Sequence, residues 1–172
     1  MTTAPQEPGS RVRARLDELG LALPAVAAPV AAYVPAVATG NHVHTSGQLP
    51  FVDGALPEAG KVGAEVSPER ASELAATCCL NALAAIEDLV GDLDRVVRIV
   101  KLTGYVASAP SFTAQPAVIN GASELLGQIF AQAGRHARSA VGVAVLPLDS
   151  PVELDLLVEL DGPVAPAPVP TA

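Results

Sequence analysis

The sequence predicts an α+β domain, a β-sheet carrying its helices on one face. Three observations predict it. A strongly capped amphipathic helix begins at residue 68, two strands of strict alternation close the chain, and the elements run ββ, α, β, α, ββ. The 172 residues suit one domain and are enough to bury a core. Two main helices cover only one face of such a sheet, so self-association is the economical cover for the other.

The elements follow in order. Residues 1–9 are polar, contain Pro and Gly, and read as a disordered leader ahead of a domain spanning 10–162. Ser10 can cap a short helix that runs through Leu19 and closes at Gly20. Tyr33–Val37 and His42–Ser46 read as strands joined by a turn at Thr39, Gly40 and Asn41. Ser67-Pro68-Glu69 supplies a capping hydroxyl, a proline at the first helical position and an acid at the positive end of the dipole. The helix continues to about Val90 with an apolar stripe of Leu74, Cys78, Ala82, Ile86 and Leu89, and Gly91 ends it.

Val96–Val106 is rich in β-branched residues and reads as a strand. A second helix over Pro116–Ala133 carries Ile119, Ala122, Leu126, Ile129 and Phe130 on one stripe. Gly121 and Gly127 each weaken it by about 1 kcal/mol relative to Ala, so packing must hold it. Ala137–Leu146 and Val152–Leu160 alternate cleanly, and the short Pro147–Pro151 connection predicts an antiparallel hairpin. The segment 163–172 is Pro/Ala-rich and reads as a mobile tail.

Composition excludes several function classes. A formal charge of −8 repels phosphate backbones, and two Tyr, three Phe and no Trp leave little for base stacking. Nucleic acid is therefore not an expected partner. No uninterrupted run reaches membrane-spanning length, and the N-terminal segment has no signal-peptide core. The two cysteines, Cys78 and Cys79, are adjacent in a helix and read as unpaired thiols, which suits the cytoplasm.

Two residues stand out for chemistry. Arg138 lies early in a strand, in phase with Ala140, Gly142 and Ala144. Small neighbours leave room for a guanidinium fork that suits a carboxylate, although a solvated surface arginine has the same pattern. Glu153 lies on the polar face of the last strand, where it can orient water or be a plain solvated carboxylate. His42 and His44 share one strand face, but no third ligand stands at a recognisable spacing, so neither a metal nor a cofactor is expected. His136 beside Arg138 can face the mouth of a pocket, but reads first as a surface histidine, and Cys78 reads as core.

The segment Gly134–Glu153, GRHARSAVGVAVLPLDSPVE, resembles the signature of the RidA/YjgF reactive-intermediate deaminase family. Ala137-Arg138-Ser139, Val141 and Val143, Leu146-Pro147 and Val152-Glu153 match it in identity and spacing. Ser46-Gly47-Gln48 resembles the family's Ser-Gly-Gln segment, Ala32-Tyr33 its opening Tyr strand, and Val118-Ile119-Asn120 its Val-Asn on the second helix. The chain departs where Val34-Pro35 replaces Ser-Gln, where Ala140 replaces a frequent Cys, and in longer segments before Tyr33 and between Phe112 and Asn120. These departures mark a divergent branch.

The resemblance implies a chorismate-mutase-like fold, with a mixed sheet and two main helices on one face, assembled as a homotrimer with clefts between subunits. It also implies hydrolytic deamination of reactive 2-imino or 2-enamino acids to 2-oxo acids and ammonia. Arg138 would hold the carboxylate of this small-molecule substrate and Glu153 would orient water or move a proton. Tyr33, Ser46, Gly47 and Asn120 would line the pocket. The alternative is a non-catalytic trimer that senses small carboxylates, which needs the arginine but not the glutamate. If the predicted hairpin turns near Asp149, Arg138 and Glu153 of one chain lie roughly 23 Å apart, and only a neighbouring subunit could bring them together.

Overall fold

The computed structural model describes residues 10–26 and 33–164. The leader at 1–9 and the tail beyond Val164 lie outside the described residues. Five strands form one sheet in the order β1-β2-β5-β3-β4, where β1 is Ala36–Thr39, β2 His42–Thr45, β3 Val96–Ala107, β4 Ala137–Val143 and β5 Val152–Leu160. The helices are α1 (Arg11–Glu18), α2 (Pro68–Val90) and α3 (Gln115–Phe130).

Local sequence accounts for most of the boundaries. The Ser67 side chain accepts from Arg70 N, Pro68 opens α2, and Gly91 ends it at φ +85°. Ser10 likewise accepts from Arg13 N at the start of α1. The β1–β2 hairpin pairs Thr39 with His42 and turns through Gly40, which takes φ +59°. The first strand is shorter than Tyr33–Val37 suggests, because pairing begins at Ala36. Helix α3 closes at Phe130 and passes into a 3-10 turn over Ala131–Gly134.

The predicted hairpin between the last two strands does not form. Strand β4 pairs in parallel with β3, matching Leu102 to Arg138, and β5 sits between β3 and β2, antiparallel to both. The physical reason is the crossover: α3 carries the chain back over the sheet, so β4 returns parallel to β3. The connection after Val143 then steps across the end of β3, where Ala107 N donates to Pro151 O and Ser108 N to Val143 O. Strand β5 thereby becomes central, with Val152, Leu154, Leu156, Val158 and Leu160 at most 2% exposed. Strand β4 is left at the edge and largely exposed.

One face of the sheet is covered by α2 and α3. Two glycines set the closeness of this packing. A Cβ on Gly104 of β3 would run into the Ile119 side chain, and one on Gly121 of α3 would run into the Ser72 backbone of α2. Ile119 is fully buried between these contacts. Asn120 is therefore held between two anchored neighbours. The opposite face carries Val37, His44, Leu157, Lys101, Thr103, Asp155, Tyr105, Glu153 and Val141, and no helix packs on it among the described residues.

Candidate functional site

The sequence-predicted site residues fall into two groups. In the first, Arg138 of β4 reaches α3, its Nη1 donating to Asn120 Oδ1 at 2.8 Å and to Ser123 Oγ at 3.1 Å. Asn120 and Ser123 are one helical turn apart and present the same face of α3. With Nη1 engaged, Nε–H and Nη2–H of Arg138 have no protein partner among the described residues. This is the side-on fork that pairs with a carboxylate. A shallow groove of about 340 Å³ adjoins it, lined by Ser123, Gly127, Gly134, Arg135, His136 and Arg138.

The second group surrounds Glu153. Gly47 packs directly on its carboxylate, since a Cβ on Gly47 would collide with Oε1. Paired hydrogen bonds between Gln48 and Leu154 fix this approach, with N···O distances of 2.7 and 3.1 Å. Ser46 donates to Val34 O at 2.7 Å, and Tyr33, the residue before Val34, is exposed. Burial, and then the negative charge of Asp155, push the Glu153 carboxyl above its ordinary value. Tyr105 donates to Asp155 at 3.3 Å, and burial followed by that carboxylate raises the phenol.

Pairing register places the two groups on opposite faces of the sheet. Arg138 pairs with Leu102, whose side chain is buried under the helices, whereas Glu153 pairs with Tyr105 on the uncovered face. Two strand spacings and three residues separate their Cα atoms by roughly 14 Å, not the 23 Å of the hairpin geometry. The distance is shorter than the sequence suggests, but the sheet itself now stands between the two side chains.

His136 corrects its sequence reading as a surface residue. It is half-buried, with Nδ1 2.6 Å from Gly134 O and Nε2 3.1 Å from Ser123 Oγ. Ser123 itself was not singled out from sequence, although its one-turn spacing from Asn120 signals it. Cys78 and Cys79 are fully buried. Burial pushes the Cys79 thiol up to about 12 and Cys78 well above its usual range, so neither is a ready thiolate. His42 and His44 share the uncovered face, and no group of three metal-ligating side chains occurs among the described residues.

An antiparallel-rich sheet covered on one face, with an arginine fork at one edge and a glycine-cradled glutamate on the bare side, defines a chorismate-mutase-like α+β domain. The family model described as "YjgF/chorismate mutase-like, putative endoribonuclease" matches residues 13–160, and the chain belongs to this YjgF family. It is 47% identical to protein TCP17 of Trypanosoma cruzi over 152 residues, covering 88% of this chain and 95% of that one. The crystal structure of protein Atu1372 from Agrobacterium tumefaciens is similar at 44% identity and TM-score 0.82, covering 88% of this chain and 93% of the other. A Shewanella oneidensis MR-1 protein with the family's endoribonuclease description is similar at 36% identity and TM-score 0.84, covering 87% and 99%.

Proposed function

We propose that this protein hydrolyses 2-imino or 2-enamino acids to 2-oxo acids and ammonia, in clefts formed between the subunits of a homotrimer. The observation that carries the reading is the preset fork of Arg138, held by Asn120 and Ser123 with its Nε and Nη2 edge open. The fork binds the substrate carboxylate and aims the adjacent C=N carbon. Glu153 of a neighbouring subunit takes a proton from water as the water oxygen attacks that carbon. That proton passes to the nitrogen and gives a carbinolamine; its hydroxyl proton then moves to the nitrogen as the C=O bond forms and the C–N bond breaks, and ammonia leaves. Its raised, half-buried carboxyl suits both halves of this exchange.

A subunit contact is required because the sheet separates the two residues within one chain. The uncovered face, with Val37 and Val141 each about half exposed, is a natural surface for it. Light scattering should give three times 17.4 kDa. Mixing Arg138→Ala with Glu153→Ala under subunit exchange should restore part of the ammonia release that each lacks alone. Failure to restore any would remove Glu153 from the shared cleft. The residues that bind a carboxylate would also serve a non-catalytic sensor, and ammonia release from generated imino acids separates the two.

The family description also mentions endoribonuclease activity. The −8 charge and the shortage of aromatic residues favour the small-acid reading. Highly purified protein should leave RNA intact. RNA cleavage that is lost in Arg138→Ala would reverse this assignment. Two reduced, buried thiols and the metabolic substrate class fit a cytoplasmic setting; no helix among the described residues is long and apolar enough to cross a membrane.

A further inference from the structure

We infer that His136 is a positioning residue of the carboxylate site, acting on Arg138 through Ser123, and that its protonation strengthens the hold on a carboxylate ligand. The inference rests on the proposed role of Arg138 as the carboxylate anchor.

Hydrogen-bond roles follow from the partners. Gly134 O can only accept, so Nδ1 of His136 carries a proton and donates across 2.6 Å. In the neutral ring Nε2 is then an acceptor, and the Ser123 hydroxyl 3.1 Å away must donate to it. The Ser123 oxygen thereby turns its lone pairs to Arg138 Nη1, also at 3.1 Å. The chain of four groups has one consistent direction, Arg138 to Ser123 to His136, with the ring fixed by Gly134.

Protonation reverses one link. With Nε2 now a donor, Ser123 Oγ accepts from both His136 and Arg138, and its own hydrogen is released into the groove. The site gains a hydroxyl donor and a second positive charge beside the fork. The charged groups facing the ring are Arg138 from β4 and Arg135 from the turn before it. Ser123 from α3 is uncharged, and no carboxylate lines the groove. Nothing in the groove therefore cancels the added charge.

Pyruvate serves as the probe, titrated into the assembled protein at pH 6 and pH 8 by calorimetry. A unit charge about 6 Å from the ligand in a water-like medium gives roughly threefold tighter binding at the lower pH. His136→Asn keeps a side-chain N–H for Gly134 O but cannot titrate, so it should bind pyruvate with little difference between the two pH values. Glu153 is unchanged in both proteins, so it cannot produce a difference between them. Nitrogen-15 spectra at pH 8 should show the Nδ1-protonated ring. A parent protein with no pH step, or a His136→Asn protein with the same step, overturns the inference while leaving Arg138 as the anchor. Arg138→Ala binding pyruvate as well as the parent would instead overturn the anchor, and this inference with it.

Discussion

The two halves of the site are built by different means. Around Arg138, three side chains from α3 and β4 hold one another by hydrogen bonds, and the backbone beneath is locked by Gly104 and Gly121. Around Glu153, the partner is backbone itself: Gly47 lies against the carboxylate because no side chain stands there. The first half is preset before ligand arrives, whereas the second is a charge brought close to main chain and left partly desolvated. In the proposed hydrolysis, recognition falls to the rigid half and proton movement to the half whose electrostatics are perturbed.

The largest expected effect breaks the recognition half. Arg138→Lys keeps the charge but loses the planar fork and its bonds to Asn120 and Ser123. Ammonia release should fall about 100-fold in kcat/KM, with KM carrying much of the loss. Glu153→Gln should instead lower kcat by about 100-fold with KM little changed. Steady-state kinetics on the two variants test the division directly. If both change KM alone, the assignment of proton movement to Glu153 is wrong.

Two glycine substitutions sharpen the same contrast. Gly121→Ala sets a methyl against the Ser72 backbone, which cannot yield, and should cost about 1–3 kcal/mol in urea unfolding. That reverses the gain of about 1 kcal/mol expected of Gly to Ala in an ordinary helix interior. Gly47→Ala meets the far end of a Glu side chain that can swing aside, so stability should change by less than about 1 kcal/mol. Its cost should appear in kcat, and should vanish when Glu153 is already Ala.

The smallest expected effect concerns acid. Burial alone would raise the Asp94 carboxyl, but hydrogen bonds from Arg11 N, Val12 N and the Ser10 and Arg11 side chains hold it below its ordinary 3.8. A lowered folded value means the stabilisation is complete above 3.8 and is lost as pH falls through the folded value. Glu153 has the opposite sign. Its folded value exceeds 4.5, so the folded chain binds a proton more readily and its burden on stability is relieved as pH falls. Asp94→Asn should flatten the acid limb of the stability curve, and Glu153→Gln should remove a shallow rise that sets in as pH falls through the folded value of Glu153 toward 4.5. Denaturant midpoints across pH measure both.

Much of this was legible in the sequence because it is local. Caps at Ser10 and Ser67, the glycine stop at Gly91 and the alternation of Val152–Leu160 each depend on a few neighbouring residues, and each reappears in the structure. The partner of β4 was not legible. A short connection favours a hairpin locally, but the choice between β5 and β3 is made by where α3 delivers the chain. The same limit hid His136, whose partners Ser123 and Gly134 become visible as partners only once α3 packs beside β4. Asn120 and Arg138 were found by motif, and only the structure pairs them.

The parallel join between β3 and β4 also orders how the molecule is assembled. Leu102 meets Arg138 across 35 intervening positions of chain that must first coil into α3, whereas β1 and β2 close through a two-residue turn. Loop closure over so long a span lags behind local hairpins and helices. As an edge strand, β4 is paired on one side only, whereas β5 is paired on both. Its amides should exchange with solvent well before those of β5. The arginine fork is thus among the last features a newly made chain acquires, and among the first it surrenders on heating.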